Sequence, residues 1–195
     1  MRATYKGLPC LKNPFDFALY TRLIQSVRPR TIIELGSHQG GSALWLADLL
    51  SSLDIDGQVY SIDVRPVETL QDPRIHFLRG DVLDLASTLP VRLLLTLPRP
   101  LLVIEDSAHL YETTLAVLRF FDPYLLPGEY LLVEDGIVND MAALGYAHYD
   151  DGPNRAIFDF LAETRGRYLI DTEYCDFYGY NITYNTNGYI RKLAH

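Results

Sequence analysis

The chain has 195 residues, 48% of them hydrophobic, enough to close one sizeable core and short for two, so a single domain over 1–195 is expected. Lys and Arg total 17 against 25 for Asp and Glu, a formal charge of −8 that disfavours a general nucleic-acid or anionic-membrane surface and suits a protein holding a cation. No apolar run approaches the roughly 18 residues that span a bilayer, "MRATYKGLPC" lacks the apolar core of a secretion signal, and Cys10 and Cys175 sit at opposite ends in no metal-binding spacing. A cytoplasmic protein with two reduced thiols, without a disulfide scaffold or zinc ribbon, is expected.

Two kinds of segment alternate. "TIIEL" (31–35), "QVYSID" (58–63), "IHFLRG" (75–80), "LLVIED" (101–106) and "YLLVED" (130–135) are short and apolar on both faces, and read as buried parallel strands. Between them the spacing predicts helices over 40–53, around 81–89, and over 109–125, where Leu110, Thr114, Leu115, Leu118 and Phe121 share a face. Segment 155–167 reads as a further helix and 167–172 as a strand, and 179–193 as two strands around an "NTNG" turn. The predicted fold is α/β: a Rossmann-like, doubly wound, mostly parallel sheet with a C-terminal antiparallel hairpin.

The first strand runs into "ELGSHQGGS". Gly36 lets the chain turn off the strand, and Gly40 and Gly41 open the next helix where its amides can approach a ligand, which makes Gly36, Ser37, His38, Gly40 and Ser42 candidate cofactor contacts. The G-x-x-x-G-G spacing differs from GxGxxG and is a weak motif by itself. Its position strengthens it: the second strand delivers Asp63, where nucleotide-binding sheets place an acid on ribose hydroxyls, and the third is followed by Asp81, which can reach a base. Glu34 either shapes this loop or, in an S-adenosylmethionine site, faces the amino group of the methionine part.

The strands ending in "VIEDSAH" and "LVEDG" are expected to be neighbours. Side chains alternate along a strand, so Glu105 and Asp106 point to opposite faces, and Asp106, at the mouth, is the better cleft candidate; Glu134 and Asp135 lie at the equivalent edge. Carboxylates converging there repel one another unless a cation joins them. Oxygen ligands with room for water or a chelating substrate suit Mg²⁺ or Mn²⁺ rather than zinc. The plainer alternative is that Asp106 or Ser107 caps the following helix. His109, placed in that helix's first turn, can project over the same mouth as a general base.

The sequence "ELGSHQGGSALWLA", "SID", "VIEDSAH", "LVEDG", "GPNRAIFDFL" resembles the cephalosporin hydroxylase family, whose members have the class I S-adenosylmethionine-dependent methyltransferase fold, and the macrocin- and mycinamicin-type metal-dependent sugar O-methyltransferases. The resemblance covers nearly the whole chain, from "KNPFDFALY" onward. It implies a Mg²⁺ held by Asp106, Glu134 and Asp135, a proton taken by His109, S-adenosylmethionine along the glycine loop, and a small-molecule hydroxyl acceptor, with a sugar or natural-product scaffold as the family expectation. It also implies a homo-oligomer. Relatives often read "DSDH" where this chain has Ala108, so one carboxylate is missing. Two rival readings are a non-haem iron hydroxylase using His109 with carboxylates, which leaves the glycine loop without a role, and a non-catalytic cofactor-binding protein. The tyrosines of the tail (Tyr174, Tyr178, Tyr180, Tyr184, Tyr189) are read as core or interface packing, with an acceptor pocket as the alternative.

Overall fold

Residues 3–65 and 67–194 are described by the computed structural model, in two units, Met1–Val103 and Ile104–His195. The first unit opens with a two-stranded antiparallel ribbon, β1 (Thr4–Tyr5) and β2 (Leu8–Pro9). A helix not anticipated from the sequence follows, α1 (Pro14–Val27). Its signals are local: the Asn13 side chain accepts from the Phe15 amide, Pro14 occupies the first turn, and Asp16 sits near the positive end of the helix dipole. Leu19, Tyr20, Leu23 and Ile24 bury one face of it, and Phe17 and Tyr20 meet Trp45 edge to face.

The expected strand–helix alternation then appears. β3 (Thr31–Leu35), buried at every position, is followed by α2 (Gly41–Ser52), β4 (Gln58–Asp63) and β5 (Ile75–Arg79). β3 pairs with β4 from Thr31↔Gln58 to Leu35↔Ile62, and β4 with β5 from Val59↔Ile75 to Asp63↔Arg79, all parallel. The segment at 81–89 is a 3-10 turn, Val82–Asp84, running into α3 (Leu85–Thr88), and α4 (Val91–Leu94) leads toward β6 (Leu101–Glu105). Strand order in this unit is β5-β4-β3-β6, β6 itself crossing the division between the units. On one side of the unit Arg74 joins Asp48 (2.9 Å) and Asp72 (2.5 Å), with Tyr5 and Lys6 also donating to Asp48. Arg74 beside it holds the Asp72 carboxyl down at about 2.

In the second unit the end of β6 leads to α5 (Tyr111–Phe121), β7 (Tyr130–Val133), α6 (Gly152–Thr164), β8 (Tyr168–Ile170), α7 (Thr172–Cys175) and β9 (Tyr189–Lys192), with strand order β6-β7-β9-β8. The antiparallel addition is present: β9 pairs with β7 (Leu131↔Ile190) and with β8 (Leu169↔Arg191). Its strands differ from the expected pair. The hairpin partner of β9 is β8, and segment 179–186 forms no strand, because its asparagines bond to loops instead of to a ladder. Helix α5 begins two residues later than expected, so His109 lies before the helix rather than in its first turn. The tyrosines of the tail divide: Tyr174 and Tyr189 are buried and stacked at 5.4 Å, whereas Tyr178 and Tyr180 are exposed. Cys10 and Cys175 are both buried and neither is in a disulfide, and burial pushes the Cys175 thiol up to about 11. Among the described residues no helix is long and apolar enough to cross a membrane.

Candidate cofactor loop and metal centre

In the first unit the parallel register brings the carboxyl ends of β3, β4 and β5 to one edge, and the loop after β3 is built there. The Gly36 amide donates to Ile62 O at 2.8 Å and Gly40 N to Ser37 O at 2.7 Å, which folds Gly36–Gly40 into a tight turn. Gly36 (φ 107°) and Gly40 (φ 81°) lie in the left-handed region that glycine enters without a Cβ clash. His38 also has positive φ (47°), and its amide donates to Asp63 Oδ2 at 3.0 Å, while Asp63 Oδ1 accepts from Arg65 N at 2.9 Å. Asp63 therefore holds both the glycine loop and its own following turn. Beneath the loop, Ser37 Oγ and Ser61 Oγ are 2.7 Å apart and Ser61 donates to the fully buried Glu34 carboxylate. Glu34 is thus linked to the loop through Ser61 and Ser37. Ser42 lies in the first turn of α2, buried. Asp81 is exposed and its Oδ1 accepts from Leu83 N at 2.9 Å, which starts the 3-10 turn.

The acidic strand ends lie in the second unit. Glu134 N donates to Glu105 O at 2.9 Å, so a hydrogen bond joins the end of β6 to the residue just after β7. Both glutamates are buried, and the aspartate after each reaches the surface: the Asp106 side chain is 22% exposed and that of Asp135 34%. Both strands are buried along their length, and each aspartate is the first side chain to emerge beyond the buried stretch. Burial pushes the Glu105 carboxyl up to about 8, against the pull of the Ser107 hydroxyl, which donates to it at 2.6 Å, and the charge of Asp106 adds to the rise.

Asp106, His109 and Asp135 offer ligand atoms that all lie within 4.8 Å of one another. His109 Nε2 is 3.4 Å from Asp135 Oδ2 and 4.0 Å from Asp106 Oδ1. Two left-handed residues make this convergence: His109 and Asp135 both have φ 56°, a conformation that His and Asp enter more readily than most side chains. The helix-capping alternative is not what the chain does. Helix α5 has Leu110 at its N-cap with no side-chain cap, and Ser107 turns back to Glu105. Glu134, expected as a third ligand, is not one of the three clustered groups. The two carboxylates, part-exposed, fit a hard divalent ion that keeps positions for water or substrate oxygens, with the His109 imidazole beside it.

Several residues around the cluster were not singled out from the sequence. Asn185, buried, accepts the Asp135 amide on Oδ1 (3.3 Å), and Ile137 N donates to Tyr184 O. Asn154 donates to Gly136 O at 2.7 Å and to Asp151 Oδ1 at 2.8 Å, and accepts from Asn187 Nδ2 at 3.0 Å. A Cβ on Gly136 would lie 2.5 Å from Thr186 O, and one on Gly152 would lie 2.7 Å from His109 O, so both turns close against backbone. Tyr149 meets the His109 ring edge on, centroids 5.7 Å apart. The usable signals were "GPN" and "NTN", asparagines clustered where a surface hairpin would not need them.

The model of the family described as "Rhamnosyl O-methyltransferase/CmcI" matches residues 1–193. A "Rhamnosyl O-methyltransferase" of Mycobacterium leprae (strain TN) is 31% identical over 194 residues, which cover 97% of this chain and 83% of that protein. An apo structure of CmcI superposes with a TM-score of 0.75 at 28% identity, covering 99% of this chain and 77% of the other. A CmcI structure with Mg and SAM gives 0.74 at 28% identity, covering 98% and 77%. With the class I methyltransferase architecture, the glycine loop and the paired acidic strand ends in place, the chain belongs to the Rhamnosyl O-methyltransferase/CmcI family.

Proposed function

We propose that this chain, an S-adenosylmethionine-dependent O-methyltransferase, works as one catalytic domain that moves the methyl group to a sugar hydroxyl with the help of Mg²⁺ or Mn²⁺. The observation that carries the metal-dependent part is the convergence of Asp106, His109 and Asp135 within 4.8 Å at the ends of two adjacent strands. Names of the relatives support the acceptor class, and the Mg and SAM of the CmcI structure support the cofactors.

In this reading the Gly36–Gly41 turn and the first amides of α2, with Ser37, His38 and Ser42, receive the methionine end of the cofactor, whose carboxylate suits a helix N-terminus. Asp63 has lone pairs left after its two amide bonds and accepts the ribose hydroxyls, and Asp81 reaches the adenine. Glu34 keeps the Ser61–Ser37 pair in place beneath them. Asp106 and Asp135 are metal ligands, and Glu134 joins them on the family resemblance. When bound, the ion supplies the positive charge that lowers an acceptor hydroxyl's pKa and orients it. His109 Nε2 takes the proton, and holding the hydroxyl in line with the methyl group supplies much of the rate.

The test is methyl transfer from labelled S-adenosylmethionine to a panel of rhamnosides, with and without EDTA. Turnover should vanish with chelation and return with Mg²⁺. Unchanged turnover in EDTA on a verified acceptor sinks the metal-dependent mechanism. Hydroxylation that needs Fe²⁺ and oxygen but no S-adenosylmethionine would replace it with the oxygenase reading, although one histidine with two carboxylates departs from the two-histidine, one-carboxylate triad of such enzymes.

A further inference from the structure

The N-terminal ribbon is tied to helix α2 at two points. Lys6 (φ 48°) and Gly7 (φ 85°) form its two-residue turn, with the positive φ pair that a hairpin of the I′ kind requires. The turn is fastened to Asp48 by Tyr5 Oη at 2.8 Å and Lys6 Nζ at 2.6 Å, and Arg74 Nη2 also donates to that carboxylate, at 2.9 Å, so the anchor is itself fixed. At the other end Pro9 O lies against the first turn of α2, 2.0 Å from where a Cβ on Gly41 would be, and Leu8 O is 3.2 Å from the same point. Only a glycine admits this approach. Cys10 N donates to Ala3 O, which makes Thr4↔Pro9 the pair without ladder bonds and turns Pro9 O out of the ribbon, toward the helix.

The helix end on which the ribbon lands is not answered by the chain. Among the described residues no side chain caps α2, and its first turn holds no acid, so its leading amides and positive dipole end are left for a ligand. The methionine end of S-adenosylmethionine carries both a carboxylate and an ammonium. Amides suit the first, and a carbonyl oxygen standing beside them suits the second. Resting on the cofactor reading under Proposed function, we infer that the ribbon is a strap that retains the amino-acid end of S-adenosylmethionine. Pro9 O supplies an acceptor for the ammonium next to the amides that take the carboxylate, and the Asp48 anchor holds it in place before the ligand arrives. The adenosine end is addressed by other groups, Asp63 and Asp81, so the strap acts only on ligands that have an amino-acid end.

The experiment measures binding by calorimetry to the full chain and two variants. Its ligands are S-adenosylhomocysteine and 5′-methylthioadenosine, the second keeping the adenosine and the sulfur but lacking the amino acid. Removing residues 1–9 should weaken S-adenosylhomocysteine by about tenfold or more, the size of one hydrogen bond to a charged group, and leave methylthioadenosine within about twofold. Tyr5→Phe combined with Lys6→Ala releases the turn while keeping the ribbon and the Asp48–Arg74 pair. It should weaken S-adenosylhomocysteine by about threefold, through faster dissociation, and leave methylthioadenosine as it is. If the shortened chain loses its fold, the double variant decides. Undiminished S-adenosylhomocysteine affinity in the variants, or equal losses for the two ligands, overturns the strap while leaving the cofactor loop standing. A parent chain that binds neither ligand overturns the cofactor loop, and the strap with it.

Discussion

His109 Nε2 stands 3.4 Å from Asp135 Oδ2, and each of the two residues holds a left-handed backbone to bring them there. The contact places the histidine inside the acidic cluster rather than above it, so ligand and base roles must be separated by measurement. Asp135→Asn is expected to weaken Mg²⁺ binding by about tenfold or more, read by calorimetry. His109→Gln should lower kcat by roughly 10² to 10⁴ while Mg²⁺ affinity stays within about threefold. A large loss of Mg²⁺ affinity in His109→Gln would make His109 a ligand and leave the base to another group.

The amide contacts around Asp135 lead to a second expectation. Asn185 accepts the Asp135 N–H, and Asn154 holds the next carbonyl, so both position Asp135, the proposed ligand. Supports of this kind are worth about 10- to 100-fold in metal affinity. Asn185→Ala should show a loss in that range by Mn²⁺ titration in electron paramagnetic resonance. Asn154→Ala should show the same loss with a lower Tm as well, because it also releases Asp151. Unaltered Mn²⁺ affinity in Asn185→Ala would reduce these contacts to loop packing.

Gly41 opens α2 directly under the N-terminal ribbon, and a Cβ there would lie 2.0 Å from Pro9 O. Backbone has little room to yield. Gly41→Ala should cost about 1–3 kcal/mol, the usual range for overpacking, seen as a reduced Tm. Deleting the ribbon in the same variant should relieve the penalty. If Gly41→Ala alone melts like the parent, the ribbon does not sit on the helix as described.

Acid stability offers a fourth check. Arg74 holds the Asp72 carboxyl at about 2, below its ordinary 3.8. A depressed carboxyl contributes its full stabilisation above about pH 4 and loses it as the pH falls toward 2. The Asp72 side chain is 14% exposed and that of Arg74 32%, and allowing for solvent screening the contribution is about 1 kcal/mol. Asp72→Asn should lower stability by that amount at pH 7 and flatten the decline between pH 4 and 2 in urea melts. A parallel, undiminished acid limb in the variant would assign that decline to other carboxylates.

Periodicity and apolar runs showed the strands well: Thr31–Leu35 and Gln58–Asp63 fall where the sequence pattern puts them, because buried strands leave a signal in every residue. Asp106 and Asp135 were readable for the same reason, each being the first side chain to emerge from a buried strand. Helix α1 was missed although Asn13, Pro14 and Asp16 announce it, since attention to the repeating pattern passes over an element outside it. The tail was misread for a deeper reason. "NTNG" carries the composition of a hairpin turn, and only the tertiary fold sends Asn185 to the Asp135 amide and Asn187 to Asn154. His109 was expected in the first turn of a helix that starts after it, because a left-handed residue before an N-cap leaves no mark in hydrophobic spacing.

The pair of hydrogen bonds from Asn154 to Gly136 and Asp151 has an evolutionary corollary. Its amide fixes where the excursion leaves and rejoins the scaffold, so residues can be inserted, deleted or exchanged between those points without moving Asp135. Such a clasp lets one surface segment diverge while the geometry of the paired strand ends is inherited intact.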